Sequence, residues 1–168
     1  MLLKETALVR LLGLKIPVLL FLGPRVLELD DAGCAVEIPL GYRSKNHVGS
    51  MYFGALHAGA DLASGLNALR LIMSRHRKVQ IIFKDARAEF LKRADGDVVF
   101  RTRDGEKIRA AVEEADRTGE RVTIPVEVTA TVPKKYGDEP VARFTLGLSL
   151  KKKSGSAATA PPARSRVG

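Results

Sequence analysis

At 168 residues, with 45% hydrophobic and 28% charged side chains, the chain is long enough to bury one sizeable core and too apolar to be disordered throughout. The formal net charge is +9, but Lys151, Lys152, Lys153, Arg164 and Arg166 put five of those charges in a tail without an acidic residue, which leaves +4 on the body. With 5% aromatic residues and no tryptophan, that body lacks stacking platforms for single-stranded nucleic acid, and nucleic-acid binding is not expected.

The chain opens on MLLKETALVRLLGLKIPVLLFLG. Glu5, Arg10, Lys15 and Pro17 interrupt its apolar run, so it reads neither as a signal peptide nor as a bilayer span. It predicts two short amphipathic helices, one over residues 2–12 and one starting near Pro17, with their apolar sides covering a sheet or a pocket mouth; membrane contact is not expected. Residues 26–30 and 34–40 are strand-like and flank Asp31-Ala32-Gly33, a candidate hairpin. Cys34, the lone cysteine, can form no internal disulfide and matches no metal-ligand spacing, so it reads as a small core residue in a reducing, cytoplasmic setting; no metal or cofactor is expected.

The loop GYRSKNHVGS leads into about 25 residues without proline, in which Ala55, Ala58, Leu62, Leu66, Leu69 and Met73 recur at spacings of three and four. Charge is absent between Asp61 and Arg70, so this long helix is expected to be buried nearly all round. Gly54, Gly59 and Gly65 disfavour a helix, and their presence suggests that something approaches its backbone closely. A strand over 79–91 with imperfect alternation follows, then a turn at Ala94-Asp95-Gly96 and a strand over 97–103, together a second candidate hairpin. Residues 104–119 read as a surface helix with Ile108, Ala111, Val112 and Ala115 on one side. Two strands of clean alternation, 121–132 and 141–150, meet at the turn 136–140, and Pro125 suits an edge or a bulge.

The order of elements predicts one α+β domain over residues 1–152, with a disordered basic tail over 153–168. Its sheet of about six antiparallel strands has an apolar face to cover, and the long helix is the only element apolar enough to cover it. A curved sheet wrapped around one central helix, the hotdog arrangement, is therefore the expected fold.

The stretch from Asn46 to Asp61, NHVGSMYFGALHAGAD, resembles the signature of hotdog-fold acyl-CoA thioesterases of the phenylacetate-pathway type. That signature runs asparagine, two residues, glycine, a small hydroxyl residue, one residue, histidine-glycine-glycine, then an apolar turn and a half ending in aspartate. Asn46, Gly49, Ser50, Gly54 and Asp61 fall at matching places without a gap, while Tyr52 and Phe53 replace the histidine and the first glycine. The chain as a whole is similar to the branch of hotdog proteins labelled as of unknown function, including the helix inserted before the last two strands.

The resemblance implies an acyl-CoA or other acyl thioester as substrate, Asp61 as general base or nucleophile, and a backbone amide at Phe53 or Gly54 as oxyanion donor. Asn46 and Tyr52 would complete the catalytic set, although from the residues alone Asn46 could instead fix the entering loop through an Asx-type turn, and Asp61 could serve a structural salt bridge or cap. It further implies a homodimer or a dimer of dimers, because Asp61 lies about 12 Å along the helix from its start and must meet the amide of a partner. His57 could bond Asp61 across one turn or be a core histidine; Ser64 and Asn67 could line a pocket or a dimer seam; Arg75, Arg77 and Lys78 could meet coenzyme A phosphates or form a solvated face. A hotdog protein that binds an acyl chain without hydrolysing it is the alternative, followed by a thioester dehydratase using His57 or His47. The chain has no GxGxxG, phosphate-loop, HExxH or GxSxG pattern.

Overall fold

The computed structural model describes residues 1–12, 14–74 and 78–153. In chain order it contains α1 (Leu3–Leu12), α2 (Pro17–Leu22), β1 (Arg25–Leu29), β2 (Cys34–Ile38), α3 (Phe53–Ser74), β3 (Val79–Phe90), β4 (Val98–Thr102), α4 (Gly105–Thr118), β5 (Val122–Thr131), α5 (Pro133–Tyr136) and β6 (Pro140–Lys152). The tail from residue 154 onwards, expected to be disordered, lies outside the described residues.

All six strands join one antiparallel sheet in the order β1-β2-β4-β5-β6-β3. The curved wrap around a single central helix does not form. The sheet is open, neither closed nor strongly curled, with β1 and β3 at its two edges, and two helices rather than one cover its apolar face. Over β1, β2 and β4, α3 packs Ala55, Ala60, Leu62 and Leu66 against Val26, Val36, Ile38 and Phe100. Over β5 and β6, α4 packs Ile108, Ala111, Val112 and Ala115 against Val126, Leu148 and Leu150, with Ala68 and Leu71 of α3 alongside. The stripe of four apolar residues on α4 is wide enough to bury, so the sheet has no need to close on α3.

The hairpin expected at Asp95-Gly96 is also absent. From β3 at one edge, the chain crosses residues 91–97 to reach β4 between β2 and β5, too long a connection for a two-residue turn. The crossing segment is pinned: the Met51 amide donates to the Ala94 carbonyl at 2.7 Å, the Tyr136 hydroxyl to Asp95 at 3.1 Å, and the Leu40 amide to Asp97 at 2.9 Å. The first hairpin does form, with Val26 opposite Val36 and the Asp30 carboxylate accepting the Ala32 and Gly33 amides.

Pro125 sits in an interior strand, yet β4 pairs only with Thr129, Ala130 and Thr131 of β5. The first half of β5 is therefore a local edge, where a missing amide costs no ladder bond. In β3 the register shifts between Phe83 and Ala86, so the inward side moves from Val79, Ile81 and Phe83 to Ala88. One extra residue in the strand accounts for the imperfect alternation.

Between Gly54 and Ile72, α3 is buried or half-buried at every position. The half-buried ones, including Gly54, His57, Ala58, Asp61, Gly65, Leu69 and Ile72, recur at spacings of three and four and form the one open stripe of the helix.

Candidate active site at the start of the long helix

Asn46 shapes the loop that delivers α3. Its Oδ1 accepts the amides of Val48 at 3.0 Å and Ser50 at 3.1 Å, and its Nδ2 donates to Ser50 Oγ at 3.1 Å. This is an Asx-type turn with Gly49 at φ 79° inside it. The Asn46 side chain is thus spent on its own loop. The Tyr52 amide then donates to the Ser44 carbonyl at 2.7 Å, and α3 begins.

The first carbonyl in the helical ladder is that of Tyr52, which accepts the Leu56 amide at 3.0 Å. The amides of Phe53, Gly54 and Ala55 find no acceptor among the described residues. They carry the positive end of a 22-residue helix. Beside them Tyr52 and Phe53 are 57% and 58% exposed. The Tyr52 ring folds back over Gly54 so closely that a Cβ there would overlap it.

Asp61 lies two turns further along, on the open stripe. No hydrogen bond or ion pair reaches its carboxylate among the described residues, and burial raises its pKa above the usual aspartate range. His57, one turn nearer the helix start, does not pair with it. The imidazole Nδ1 instead meets the Phe53 carbonyl oxygen at 3.0 Å, and the ring packs against Phe53, Phe144 and Phe90 at centroid distances of 4.2, 5.3 and 6.0 Å. Phe90 and Phe144 carry no mark in the sequence as site residues; they arrive from β3 and β6 only through the sheet register, which sets Ala88 opposite Phe144 and Phe90 opposite Ala142.

The other residues singled out from the sequence lie apart from this group. Ser64 is buried and its hydroxyl donates to the carbonyls of Ala60 and Asp61, within its own helix. Asn67 is buried and its Nδ2 ties α3 to the β1–β2 turn through the carbonyls of Asp30 at 2.8 Å and Gly33 at 3.0 Å. Arg70 pairs with Asp31 of the same turn. Lys78 is exposed, and Arg75 and Arg77 lie outside the described residues. Cys34 is buried in β2 and its thiol pKa is pushed up to about 12, chiefly by burial, which keeps it protonated. A concavity of about 900 Å³ lies on the opposite, outer face of the sheet, walled by Glu28, Arg101, Arg103, Asp104 and Glu127; none of the predicted site residues borders it. Among the described residues no three His, Cys, Asp or Glu side chains are grouped to hold a metal ion.

A helix start with three free amides and an unpaired carboxylate on the same helix suits acyl transfer, and the comparison with known families bears on that chemistry. Residues 4–146 match the model of the domain of unknown function DUF4442. The chain belongs to the DUF4442 family. Among solved structures, this DUF4442 chain is similar to a Pseudomonas aeruginosa protein of unknown function, described as a probable thioesterase, with 26% identity, TM-score 0.70 and coverage of 91% of this chain and 97% of that one. A Chlorobaculum tepidum protein of unknown function gives TM-score 0.76 at 14% identity, over 89% of this chain and 95% of that one. A variant of a Staphylococcus aureus thioesterase gives TM-score 0.60 at 16% identity, over 80% of this chain and 98% of that one. No curated protein matches the chain. The Pseudomonas and Staphylococcus proteins are described as a probable thioesterase and a thioesterase, and the phenylacetate-pathway branch finds no specific support.

Proposed function

We propose that this DUF4442 protein hydrolyses an acyl thioester, such as an acyl-CoA, with Asp61 as the base. The observation that carries the proposal is the unpaired, half-buried Asp61 carboxylate on the open stripe of the helix whose first three amides are also unpaired. A carboxylate without a partner is costly to bury, and its raised pKa makes it a better base than an aspartate in water. In the reaction Asp61 takes a proton from water, the water oxygen attacks the thioester carbonyl carbon, and the amides of Phe53 and Gly54 hold the oxyanion. The C–S bond then breaks and the thiolate leaves, taking up a proton. Phe53, standing where the family signature has glycine, narrows the entry and favours a slender acyl group.

Helical rise separates Asp61 from the free amides by about 12 Å, so a base from one subunit and amides from another would complete the site in a homodimer. Of the two end strands of the sheet, β3 is the one open to such pairing among the described residues. At the β1 edge, α1 already occupies the Val26 backbone, with the Leu2 amide on the Val26 carbonyl at 2.7 Å and Thr6 Oγ1 accepting the Val26 amide at 2.9 Å. The 12-residue β3 edge carries no such cover among the described residues.

Release of free thiol from short, aromatic and long acyl-CoAs by the wild type and by Asp61→Asn tests the proposal. A fall of about 100-fold or more in the variant, with folding retained, is the expected result. Equal rates would remove Asp61 from the mechanism. Acyl-CoA binding by the wild type without thiol release would assign the fold to a non-catalytic carrier, an outcome that Tyr52 in place of the family histidine makes worth measuring directly.

A further inference from the structure

No helix among the described residues is long and apolar enough to cross a membrane, yet the first two helices show an unusual surface. Sixteen large apolar side chains are substantially exposed among the described residues, and eight of them fall within residues 1–21: Met1, Leu3, Leu11, Leu14, Ile16, Val18, Leu20 and Phe21. On α1 the inner side is formed by Thr6 and Val9, which are buried, whereas Leu3, Ala7 and Leu11, spaced by four, line the outer side. On α2, Leu19 and Leu22 reach the core while Val18, Leu20 and Phe21 face outwards. Solvent normally sees polar residues on such a face, and a contiguous apolar patch marks a contact surface.

Charge and placement indicate what covers it. Lys4, Arg10 and Lys15 are exposed around the patch and pair with no acid among the described residues, and the one acidic residue of this segment, Glu5, is half-buried. The loop after β2 adds Arg43, whose guanidinium lies over the Phe21 ring at 5.6 Å, and beside it Tyr42, 89% exposed. An apolar face ringed by free cations, with a tyrosine at its margin, fits the boundary between headgroups and acyl chains of an anionic membrane. We propose that the outer face of α1 and α2, together with Tyr42 and Arg43, seats the protein on an anionic lipid bilayer. The ten residues of α1 span about 15 Å, so the helix lies along the surface.

Cosedimentation of the full chain with phosphatidylcholine vesicles, and with vesicles also containing phosphatidylglycerol, tests this. The expected result is binding to the anionic vesicles, weakened by salt, and partitioning lowered about tenfold or more in Leu11→Ser/Phe21→Ser at an unchanged melting temperature. In Lys4→Glu/Arg10→Glu/Lys15→Glu the preference for phosphatidylglycerol should vanish. Absence of vesicle binding by the wild type would overturn the proposal. So would vesicle binding that survives Leu11→Ser/Phe21→Ser, which would point to the basic tail. A Leu11→Ser/Phe21→Ser protein that sediments as a smaller species than a wild type indifferent to vesicles would give the patch to a second copy of the chain.

Discussion

His57 Nδ1 lies 3.0 Å from the carbonyl oxygen of Phe53, one turn towards the start of α3, and no hydrogen bond joins the ring to Asp61, one turn further on. A carbonyl can only accept, so Nδ1 carries the proton and the lone pair of the neutral ring stands on Nε2. The ring is held in that orientation by Phe53 and by the edge of Phe144. Among the described residues Asp61 has no cationic or donor partner to lower its pKa, and burial raises it.

The two residues should therefore separate under mutation. His57→Leu removes one hydrogen bond and part of an aromatic cluster, and is expected to cost about 1–2 kcal/mol of stability. If the imidazole has no part in the proposed chemistry, its loss should lower thiol release less than tenfold, against about 100-fold for Asp61→Asn. Denaturant melts and rates measured on the same preparations check both. A His57→Leu defect as large as that of Asp61→Asn would show Nε2 acting on the substrate or on the water.

The glycines of α3 make a sharper structural comparison. At Gly59 a Cβ would overlap the ring of Phe100, which is wholly buried beneath the helix and has nowhere to go. At Gly65 it would meet the Phe83 ring at 3.6 Å, an ordinary contact. Gly59→Ala should destabilise the protein by about 1–3 kcal/mol through overpacking, while Gly65→Ala should stabilise it by about 0.5–1 kcal/mol through helix propensity. Urea denaturation of the two variants beside the wild type decides the matter; equal effects would mean that the helix stands off the sheet.

Local pattern made the elements legible and left their assembly open. The three-four spacing of Ala55 to Met73 and the alternation of Val122 to Val132 are set by residues close in sequence, and α3 and β5 form where those patterns lie. Strand order depends on longer loops. Asp95-Gly96 has hairpin chemistry, but it sits inside a crossing segment held by Asp95, Asp97 and Ala94, and β3 pairs with β6 instead. The apolar stripe of α4, Ile108, Ala111, Val112 and Ala115, is legible in the sequence, but its part in covering the sheet is not: the long helix alone was expected to fill that place, and the burial of the stripe on β5 and β6 leaves the sheet open. At the site, the Asn46-to-Asp61 stretch marked the loop and the helix start. The Asx-type turn of Asn46 was legible as well, because its partners Val48 and Ser50 lie two and four residues on. The sequence could not show that Asn67 is a latch onto the first hairpin, or that Phe90 and Phe144 gather around His57, because those partners are distant in the chain.

Asp61 also ties stability to pH in a direction opposite to that of most carboxylates. Its folded pKa is raised by burial, so the folded protein holds the proton to higher pH than the unfolded chain does. Below the usual aspartate range both states are protonated and burial exacts no electrostatic cost. As pH rises from that range through the raised value, the folded state must ionise a half-buried group, and stability falls relative to a protein without it. Asp61→Asn, neutral and of equal size, should match the wild type in acid and exceed its stability at neutral pH, the difference growing through that window and then levelling off. Denaturant midpoints of both proteins, taken at intervals from about pH 4 to about pH 8, read the effect. A variant less stable than the wild type at neutral pH would mean that the carboxylate is stabilised by a partner, as a structural ion pair would be. Thiol release by the wild type supplies an independent reading of the same group, because the proposed base acts only when ionised: its rate should climb with pH through the interval in which the stability difference grows. Coincidence of the two curves would identify the buried carboxylate that costs stability with the one that does the chemistry.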